Sequence, residues 1–207
     1  MIDLYTWTTP NGRKASIMLE ECGISYNVIP VNLQKSEQYD ARFLGVNPNA
    51  KIPVIVDRET GETIAESAAI VYYLAEKCGR FLPAAPRQRW ETMKWFLWQT
   101  GAVGPSIGVV YFVTRRAPEN VSIGERFGKE TARTLQLLDD LLASRPYIAG
   151  EEYTIADIMG IPWLQAGIGV LEKNWPALVK DWRNLNRWLS EVLQRPAVVR
   201  GMACPKV

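Results

Sequence analysis

The sequence predicts a small α/β domain followed by an all-helical domain. Over residues 1–80, short β-branched runs alternate with segments of helical periodicity, in the order β-α-β-α-β-β-α. After a proline-bearing connector at residues 81–86, the apolar residues recur at helical spacing. We therefore assign residues 1–80 to the first domain and residues 87–207 to the second.

Composition and charge exclude several classes of function. The chain has 207 residues, is 47% hydrophobic and 22% charged, and carries a formal net charge of +2. This weak positive charge predicts no nucleic-acid partner. The sequence contains no apolar run of about eighteen residues and no basic-then-apolar leader, so we expect no membrane span and a cytoplasmic protein.

The reactive side chains in the sequence exclude several kinds of catalysis and metal binding. The sequence has no histidine, which excludes Ser-His and Cys-His catalysis and histidine-ligated metal sites, and we expect no metal. Cys22, Cys78 and Cys204 are odd in number, widely spaced and without a CxxC motif. They predict neither a disulfide framework nor a dithiol redox motif.

The chain begins with a β-turn-α unit. An alternating strand over residues 2–7 is broken by the turn at residues 8–12, and a helix follows over residues 13–22. Residues 26–31 then predict a second strand, and residues 36–44 a short helix. Backbone NH groups at a helix start stabilise a thiolate, so the turn is a candidate site for thiol chemistry.

Residues 47–77 combine a proline turn, a strand pair and a helix start. Ile52-Pro53 opens a β-branched run, and proline sits only at the start or open edge of a strand because it has no NH to donate. A short polar loop containing a glycine predicts a hairpin. Glu66 and Ser67 then begin a helix, with Ser67 as a preferred N-cap residue.

These residues suit a peptide with a free α-amino acid group. The helix start at Ser67 favours an anion, and the Glu66 carboxylate favours an ammonium group. The backbone of Ile52, next to Pro53, can pair with an extended peptide by strand addition. The alternative is an ordinary helix cap at Glu66-Ser67 and an ordinary trans proline at position 53.

The stretch is similar to the thioredoxin-like half of glutathione transferases. In that family a cis-proline presents the backbone to the cysteinyl residue of glutathione, and an acidic residue with a serine holds the γ-glutamyl end. The T-x-N-G turn, the N-P-N-x-K-I-P segment and the Glu-Ser pair resemble the bacterial nu class and its fungal nitrogen-regulator relatives. The resemblance implies a glutathione transferase fold with a thioredoxin-like first domain, and glutathione binding by Asn11, Lys51, Ile52, Pro53, Glu66 and Ser67.

The resemblance also assigns roles outside this stretch. Gln38 lies where the nu class has a glutamine that reaches the glycyl end of glutathione. Arg126 matches an arginine that reaches glutathione in the other subunit. Solvated surface positions are the alternative for both residues. The common classes place Tyr, Ser or Cys in the first turn, whereas this chain offers the Thr9 hydroxyl and the Asn11 amide. We expect these two groups to act in catalysis, with helix capping as the alternative.

The second domain contains one long apolar helix over residues 88–113, in which Pro105 predicts a kink. In the family this helix lines a dimer interface, so the resemblance implies a homodimer. A further helix is expected over residues 124–144. Thr154 and Asp157 form a capping box that begins another helix.

Taken together, the resemblance implies a glutathione-dependent disulfide-bond oxidoreductase. Such an enzyme binds glutathione or its disulfide and stabilises the thiolate without a protein cysteine as nucleophile. Two alternatives remain, which are a conventional glutathione transferase or peroxidase and a non-catalytic glutathione-binding regulatory protein. The helices expected to line the electrophile pocket carry generic apolar residues, so they do not identify the small disulfide or electrophile substrates.

Overall fold

A computed structural model describes residues 1–206, which form two compact units. Unit 1 contains residues 1–81 and the C-terminal segment that begins at Gln194, and unit 2 contains Leu82–Leu193. The C-terminal segment was expected in the second domain, but by its contacts it belongs with unit 1. The division into functional domains at residues 80 and 87 stays a prediction.

Unit 1 contains a four-stranded mixed sheet with helices packed on it. Its elements up to residue 78 are β1 (Ile2–Thr6), α1 (Pro10–Cys22), β2 (Tyr26–Pro30), α2 (Ala41–Leu44), β3 (Val54–Asp57), β4 (Thr63–Ala65) and α3 (Ser67–Cys78). The strand order is β2-β1-β3-β4, with β1 parallel to β2 and antiparallel to β3, and with β4 antiparallel to β3. The thioredoxin-like arrangement is therefore confirmed.

Burial explains why these segments form the sheet. Strand β1 has a neighbour on each side, and Ile2 and Leu4 are fully buried within it. Val54 and Ile55 of β3 are equally buried, which fits a β-branched run in a central strand. Pro53 precedes β3 and therefore removes no hydrogen bond from the ladder.

Helix α1 begins three residues earlier than the sequence predicted. Thr9 is its N-cap, and the Thr9 Oγ1 accepts a hydrogen bond of 3.0 Å from the Gly12 amide. Pro10 takes the first helical position, where its fixed φ is suitable and its missing NH costs nothing. The T-P-N-G sequence is therefore the start of the helix rather than a turn that precedes it.

The segment between β2 and β3 is less regular than expected. Instead of one helix over residues 36–44, it has a 3₁₀ turn at Glu37–Tyr39 followed by the single turn of α2. Ser36 adopts a φ of 62° just before this turn. A left-handed residue does not continue a helix, so the first turn begins only at Glu37. Asp40, which has an extended backbone with a ψ of 141°, separates this turn from α2.

Unit 2 consists of helices within the part of the chain that the structure describes. They are α4 (Pro86–Trp98), α5 (Gly104–Arg116), α6 (Val121–Leu142), α7 (Ile155–Asn174) and α8 (Arg183–Leu193). A π-helical turn at Gln99–Val103 joins α4 to α5. The irregularity thus lies immediately before Pro105, as expected from its missing NH group.

The continuous helical stretch Pro86–Arg116 is long and apolar enough to cross a membrane by length and composition alone, with a mean hydropathy of 1.2 in its most apolar window. It is the one such stretch found among residues 1–206. Core helices of soluble proteins have the same composition. Here α4 packs against α7, and α5 packs against α6 and α7. This packing buries 39% of that window, whereas Trp90, Leu97 and Phe112 of the stretch are exposed.

The last helix, α9 (Pro196–Met202), packs against α1 within unit 1. The Ser16 hydroxyl donates a hydrogen bond of 2.7 Å to the Gly201 carbonyl. A Cβ atom at Gly201 would lie 2.5 Å from the Ile17 Cα, so only glycine permits this contact. Arg195 also forms a bidentate ion pair with Glu21. These contacts place the C-terminal segment in unit 1.

The predicted capping box at the start of α7 is present. Thr154 Oγ1 accepts a bond from the Ala156 amide, and Asp157 Oδ2 accepts a bond of 2.9 Å from the Thr154 amide. The fully buried Asp157 carboxylate also accepts bonds of 2.9 Å from the Ile148 amide and from the Trp188 Nε1. Burial raises the pKa of Asp157 to about 6, although these donors oppose the rise. The residue therefore joins the start of α7 to α8.

We predict that Asp157→Ala lowers the free energy of unfolding by about 3 to 5 kcal/mol, because several buried donors lose their acceptor at once. Denaturant titration followed by circular dichroism measures the change. Asp181→Ala is the matched control, since Asp181 pairs with Arg183 on the surface and its loss should cost less than about 1 kcal/mol. Equal losses in the two variants would contradict this account.

Candidate functional site

One cleft in unit 1 is lined by six of the residues that the sequence predicted for ligand binding. Its volume is about 130 Å³, and its lining residues are Asn11, Lys51, Ile52, Pro53, Glu66 and Ser67. They come from three separate parts of the chain, which are the start of α1, the segment before β3 and the start of α3. The sheet order brings these parts together, because β1 and β3 are adjacent strands.

The first wall is the N-terminal turn of α1. A Cβ atom at Gly12 would lie 2.4 Å from the Trp7 carbonyl oxygen and 2.5 Å from Thr6 Oγ1. Glycine therefore lets the helix begin directly against the end of β1. Asn11 is the second residue of the helix and lines the cleft. Thr9 does not line it, and its hydroxyl oxygen caps the helix.

The capping bond does not use all of the Thr9 hydroxyl. A hydroxyl oxygen has two lone pairs and one proton, and the Gly12 amide occupies one lone pair. The proton remains able to donate to a sulfur or oxygen atom. Capping, the alternative explanation for Thr9, is therefore present without excluding a second role.

The second wall is the segment before β3, which is held by Asn47. This side chain is 5% exposed, and its Nδ2 donates a bond of 2.7 Å to the Lys51 carbonyl. Its Oδ1 accepts a bond of 3.1 Å from the Asn49 amide. Ala50 takes a φ of 54° inside the loop that Asn47 closes. This role of Asn47 was not predicted from the sequence, although asparagine next to proline is a known turn signal.

The Ile52-Pro53 peptide bond, at the end of this loop, is cis, as the resemblance implied. The β-ladder begins at Val54, which pairs with Tyr5 and with Ala65. The Ile52 backbone thus lies next to the sheet and outside its ladder. An extended ligand can pair with backbone groups in this position.

The third wall is the start of α3, where the structure corrects one expectation. Ser67 is the first residue inside the helix, and Glu66 occupies the N-cap position with a φ of 69°. The Glu66 carbonyl accepts the first helical bond from the Ile70 amide at 2.9 Å. Within residues 1–206, the Ser67 hydroxyl makes no hydrogen bond and the exposed Glu66 carboxylate makes no ion pair. Both groups are thus able to bind a ligand.

Asp57 fixes the position of α3 relative to β3. Its fully buried carboxylate accepts a bond of 2.7 Å from the Tyr73 hydroxyl and pairs with Lys77 Nζ at 2.9 Å. It also accepts a bond from the Glu59 amide at 3.0 Å. Burial alone would raise the pKa of Asp57, but these donors outweigh it and lower the pKa to about 2. The anchor is therefore ionised at neutral pH.

The cleft is electrostatically suited to an anion. The N-terminal ends of α1 and α3 both contribute lining residues, and neither helix has an acidic residue in its first turn. Each N-terminus carries a partial positive charge of roughly half an elementary charge. Glu66, at the N-cap of α3, adds one carboxylate that can pair with an ammonium group. The cleft thus matches the two charges of an α-amino acid.

Two predicted residues lie elsewhere. Gln38 is in the 3₁₀ turn Glu37–Tyr39, and its Oε1 is buried without a hydrogen-bond partner among the described residues. Arg126 is an exposed residue of α6 in unit 2, where the pKa of Glu130 is lowered mainly by its hydrogen bond with Arg133 and to a smaller extent by the charge of Arg126. The ligand-binding roles of Gln38 and Arg126 stay predictions.

Unit 2 contains a larger cleft, of about 600 Å³, between the start of α4 and the loop before α7. None of the residues predicted for ligand binding lines it, and its charged lining includes Arg145 and Glu91, which pair with each other. Within residues 1–206, no group of three or more His, Cys, Asp and Glu side chains is placed to hold a metal ion. The cleft of unit 1 is the candidate site.

A thioredoxin-like unit with a cis-proline beside a helix start, followed by a helical unit, defines the glutathione transferase class of protein. Residues 8–77 match the family model for the glutathione S-transferase N-terminal domain, and residues 124–196 match the model for the C-terminal domain. The chain belongs to the glutathione S-transferase family.

Two relatives from Escherichia coli (strain K12) are named disulfide-bond oxidoreductases. The chain is 42% identical to YfcG over 172 residues, which cover 80% of this chain and 80% of that protein. It is 38% identical to YghU over 214 residues, which cover 97% of this chain and 73% of that protein.

Solved structures of similar proteins contain glutathione. A glutathione transferase from Burkholderia graminis, with two glutathione molecules bound per subunit, is 38% identical with a TM-score of 0.92, covering 99% of this chain and 88% of that one. A glutathione transferase from Pseudomonas putida, with one glutathione disulfide per subunit, is 37% identical with a TM-score of 0.90, covering 99% and 91%.

We predict that Glu66→Ala and Ser67→Ala each weaken glutathione binding by about 1.5 to 3 kcal/mol, because each removes a hydrogen bond to a charged group of the ligand. Isothermal titration calorimetry measures the affinity, and thermal melting checks that the fold persists. Glu62→Ala is the matched control, since it removes an exposed carboxylate of the neighbouring hairpin. Unchanged affinity in both site variants would show that glutathione does not bind in this cleft.

Proposed function

We propose that the protein is a glutathione-dependent disulfide-bond oxidoreductase of the cytoplasm. It binds glutathione or glutathione disulfide and reduces small disulfide substrates. The observation that carries the proposal is the meeting of two helix N-termini and the cis-proline segment at one cleft. The names of the relatives from Escherichia coli and the ligands in the similar structures support it.

The first step is binding of glutathione in an extended conformation. The Ser67 hydroxyl and the amides at the start of α3 receive the α-carboxylate of the γ-glutamyl residue, and Glu66 receives its ammonium group. The backbone of Ile52 pairs with the cysteinyl residue, beside Pro53. Gln38 receives the glycyl end of the ligand, as the family resemblance implies, and Lys51 contributes to the lining of the cleft.

The second step is thiol–disulfide exchange. The glutathione thiolate attacks one sulfur of the substrate disulfide, the S–S bond breaks, and the departing thiolate takes up a proton. A second glutathione thiolate then attacks the mixed disulfide, which releases the second substrate thiol and forms glutathione disulfide. Asn11 and Thr9, at the positive end of α1, stabilise the thiolates by hydrogen bonding.

The protein contributes no thiol to this reaction. Cys22 closes α1 and Cys78 closes α3, whereas the cleft lies at the opposite ends of both helices. A helix of thirteen residues is about 20 Å long, which is too far for direct attack. Cys204 is buried near Tyr26 and Ser16, and burial raises the pKa of its thiol.

We predict that Asn11→Ala reduces turnover with hydroxyethyl disulfide about ten- to a hundredfold. Loss of one hydrogen-bond donor to the thiolate raises the activation free energy by on the order of 1 to 3 kcal/mol. Thr9→Ala should lose less, since the backbone amides of α1 remain. A coupled assay of glutathione disulfide formation measures both. A variant with all three cysteines replaced by serine is the control and should keep most of the activity.

Three outcomes would contradict the mechanism, two in this assay and one with other substrates. A cysteine-free variant without activity, combined with a fully active Asn11→Ala variant, would make a protein thiol the nucleophile. Wild-type turnover equal to the uncatalysed rate, with glutathione binding retained, would favour a regulatory binding protein. Higher relative activity with an aryl halide or a peroxide would favour a conventional transferase or peroxidase.

Arg126 is part of the proposed site through a homodimer, in which it completes the site of the partner subunit. Arg126 lies on an exposed surface of α6 of mixed charge, where Glu130 pairs with Arg133. The exposed Arg126 guanidinium suits an anionic end of the ligand. We predict a solution mass twice that of the 23.4 kDa chain, measured by light scattering. A monomeric mass would exclude this role.

Mixed dimers test the role of Arg126 directly. Arg126→Ala subunits are combined with Ser67→Ala subunits, and both variants are expected to have lowered activity by themselves at a limiting glutathione concentration. If Arg126 acts in the partner's site, every heterodimer contains one intact site, and activity returns on mixing. If each site used residues of its own chain alone, no intact site would form and mixing would restore nothing. Arg133→Ala serves as the matched control for loss of a neighbouring positive charge on α6.

A further inference from the structure

The thiols of Cys22 and Cys78 are in contact. The two residues are 56 positions apart in the chain, yet their Sγ atoms are separated by 2.8 Å. Each is the last residue of its helix, and each is followed by a left-handed glycine, Gly23 and Gly79, that ends the helix. The side-by-side packing of α1 and α3 therefore brings the two thiols together.

The surroundings of the two thiols distinguish their roles. Both are free and half-buried. The Cys22 thiol donates toward Cys78 Sγ and lies 3.5 Å from the Leu74 carbonyl oxygen. Burial, followed by the effect of the Cys78 thiol, raises the pKa of Cys22. Cys22 is therefore the protonated donor, and the sulfur of Cys78 is the acceptor.

Arg80 supplies a positive charge beside this pair. Its guanidinium donates a bond of 3.2 Å to the Glu21 carbonyl, and its charge acts on Cys22 in the direction that favours a thiolate. This charge opposes the larger effect of burial, so it helps Cys22 to lose the proton that it must give up before its sulfur attacks another sulfur. The pair thus combines contact, partial exposure and a neighbouring positive charge.

We propose that Cys22 and Cys78 form a reversible disulfide that links the ends of α1 and α3, with glutathione disulfide as the oxidant. In the first step the Cys78 thiolate attacks glutathione disulfide, whose S–S bond breaks, and one glutathione leaves as its thiolate. In the second step the Cys22 sulfur gives up its proton to solvent and attacks the Cys78 sulfur of the mixed disulfide, which releases the second glutathione. Two protein thiols are oxidised, and one glutathione disulfide is reduced to two glutathione molecules.

The geometry requires little rearrangement. A disulfide bond is about 2.05 Å long, so the two sulfur atoms must approach each other by less than about 1 Å. The link would close a long loop of unit 1, which includes the segment from Asn47 to Pro53. Closing a long loop restricts the unfolded chain and therefore stabilises the folded one.

This disulfide is separate from the proposed catalytic reaction. The sulfur pair lies at the C-terminal ends of the two helices whose N-terminal ends line the cleft. The oxidised and reduced forms would both retain Asn11 and Ser67 in place. The disulfide stabilises the glutathione-binding unit when it is oxidised. Its formation does not depend on whether the protein is a reductase.

The experiment compares the reduced protein with protein incubated with glutathione disulfide. Remaining thiols are blocked with iodoacetamide in denaturant, and proteolytic peptides are identified by mass spectrometry. We expect a peptide crosslinked through Cys22 and Cys78, with Cys204 alkylated, and a rise in melting temperature of roughly 5 to 10 °C that dithiothreitol reverses.

Single substitutions make the result specific. Cys204→Ser should keep both the crosslink and the thermal shift. Cys22→Ser should lose both and accumulate a glutathione mixed disulfide on Cys78, because the second thiol is missing. Three alkylated cysteines in oxidised wild-type protein would overturn the proposal. An equal thermal shift in Cys22→Ser, or a crosslink that includes Cys204, would overturn it as well.

Discussion

The close approach of α1 to the end of β1 is the constraint on which the site depends. At Gly12 there is no space for a Cβ atom, because the Trp7 carbonyl and the Thr6 hydroxyl occupy its position. This contact allows the helix to begin at Pro10, directly after the strand. The positive end of the helix dipole, the Thr9 cap and the Asn11 side chain are then all near the end of β1, where the cleft lies. A bulkier residue at position 12 would move the whole helix start.

Helix α3, the second helix at the cleft, is positioned by a buried carboxylate. Asp57, at the end of β3, receives Tyr73 and Lys77 from α3 and remains ionised because these donors outweigh the cost of burial. Since β1 and β3 are adjacent in the sheet, fixing α1 to β1 and α3 to β3 brings the two helix starts to one cleft. Asn47 holds the loop between them, so the Ile52-Pro53 backbone completes the third side. The site is thus a product of three separate anchors.

The two ends of α1 and α3 differ in the chemical groups that they present. Their N-terminal ends provide amides, a hydroxyl and positive dipole ends, which suit anions and thiolates. Their C-terminal ends carry the protein's own contacting thiols, close to the carbonyl groups of Leu74 and Ala75. Carbonyl groups and the negative end of a dipole disfavour a thiolate. The same pair of helices therefore suits a ligand thiolate at one end and, at the other, a Cys22 thiol whose pKa is raised by burial.

Much of this protein was determined by patterns that are local in the sequence. Helical and strand periodicity, the proline positions and the Thr154–Asp157 capping box predicted the fold class. The family resemblance carried by the motifs at Asn11, Ile52-Pro53 and Glu66-Ser67 implied all six residues of the cleft. Local patterns were less reliable for the ends of elements. Pro10 proved to be inside α1, because Thr9 caps that helix. Ser67 proved to follow the N-cap, because Glu66 takes the N-cap position with a φ of 69°.

Only the tertiary structure decided the contacts between residues distant in the chain. The buried bonds of Asn47, the packing of α9 on α1 and the contact between Cys22 and Cys78 leave no mark on spacing or composition. Each depends on which helix lies beside which strand and at what depth. Sequence periodicity identifies the face of an element that is buried, whereas its partner across that face is chosen by the packing of the whole unit.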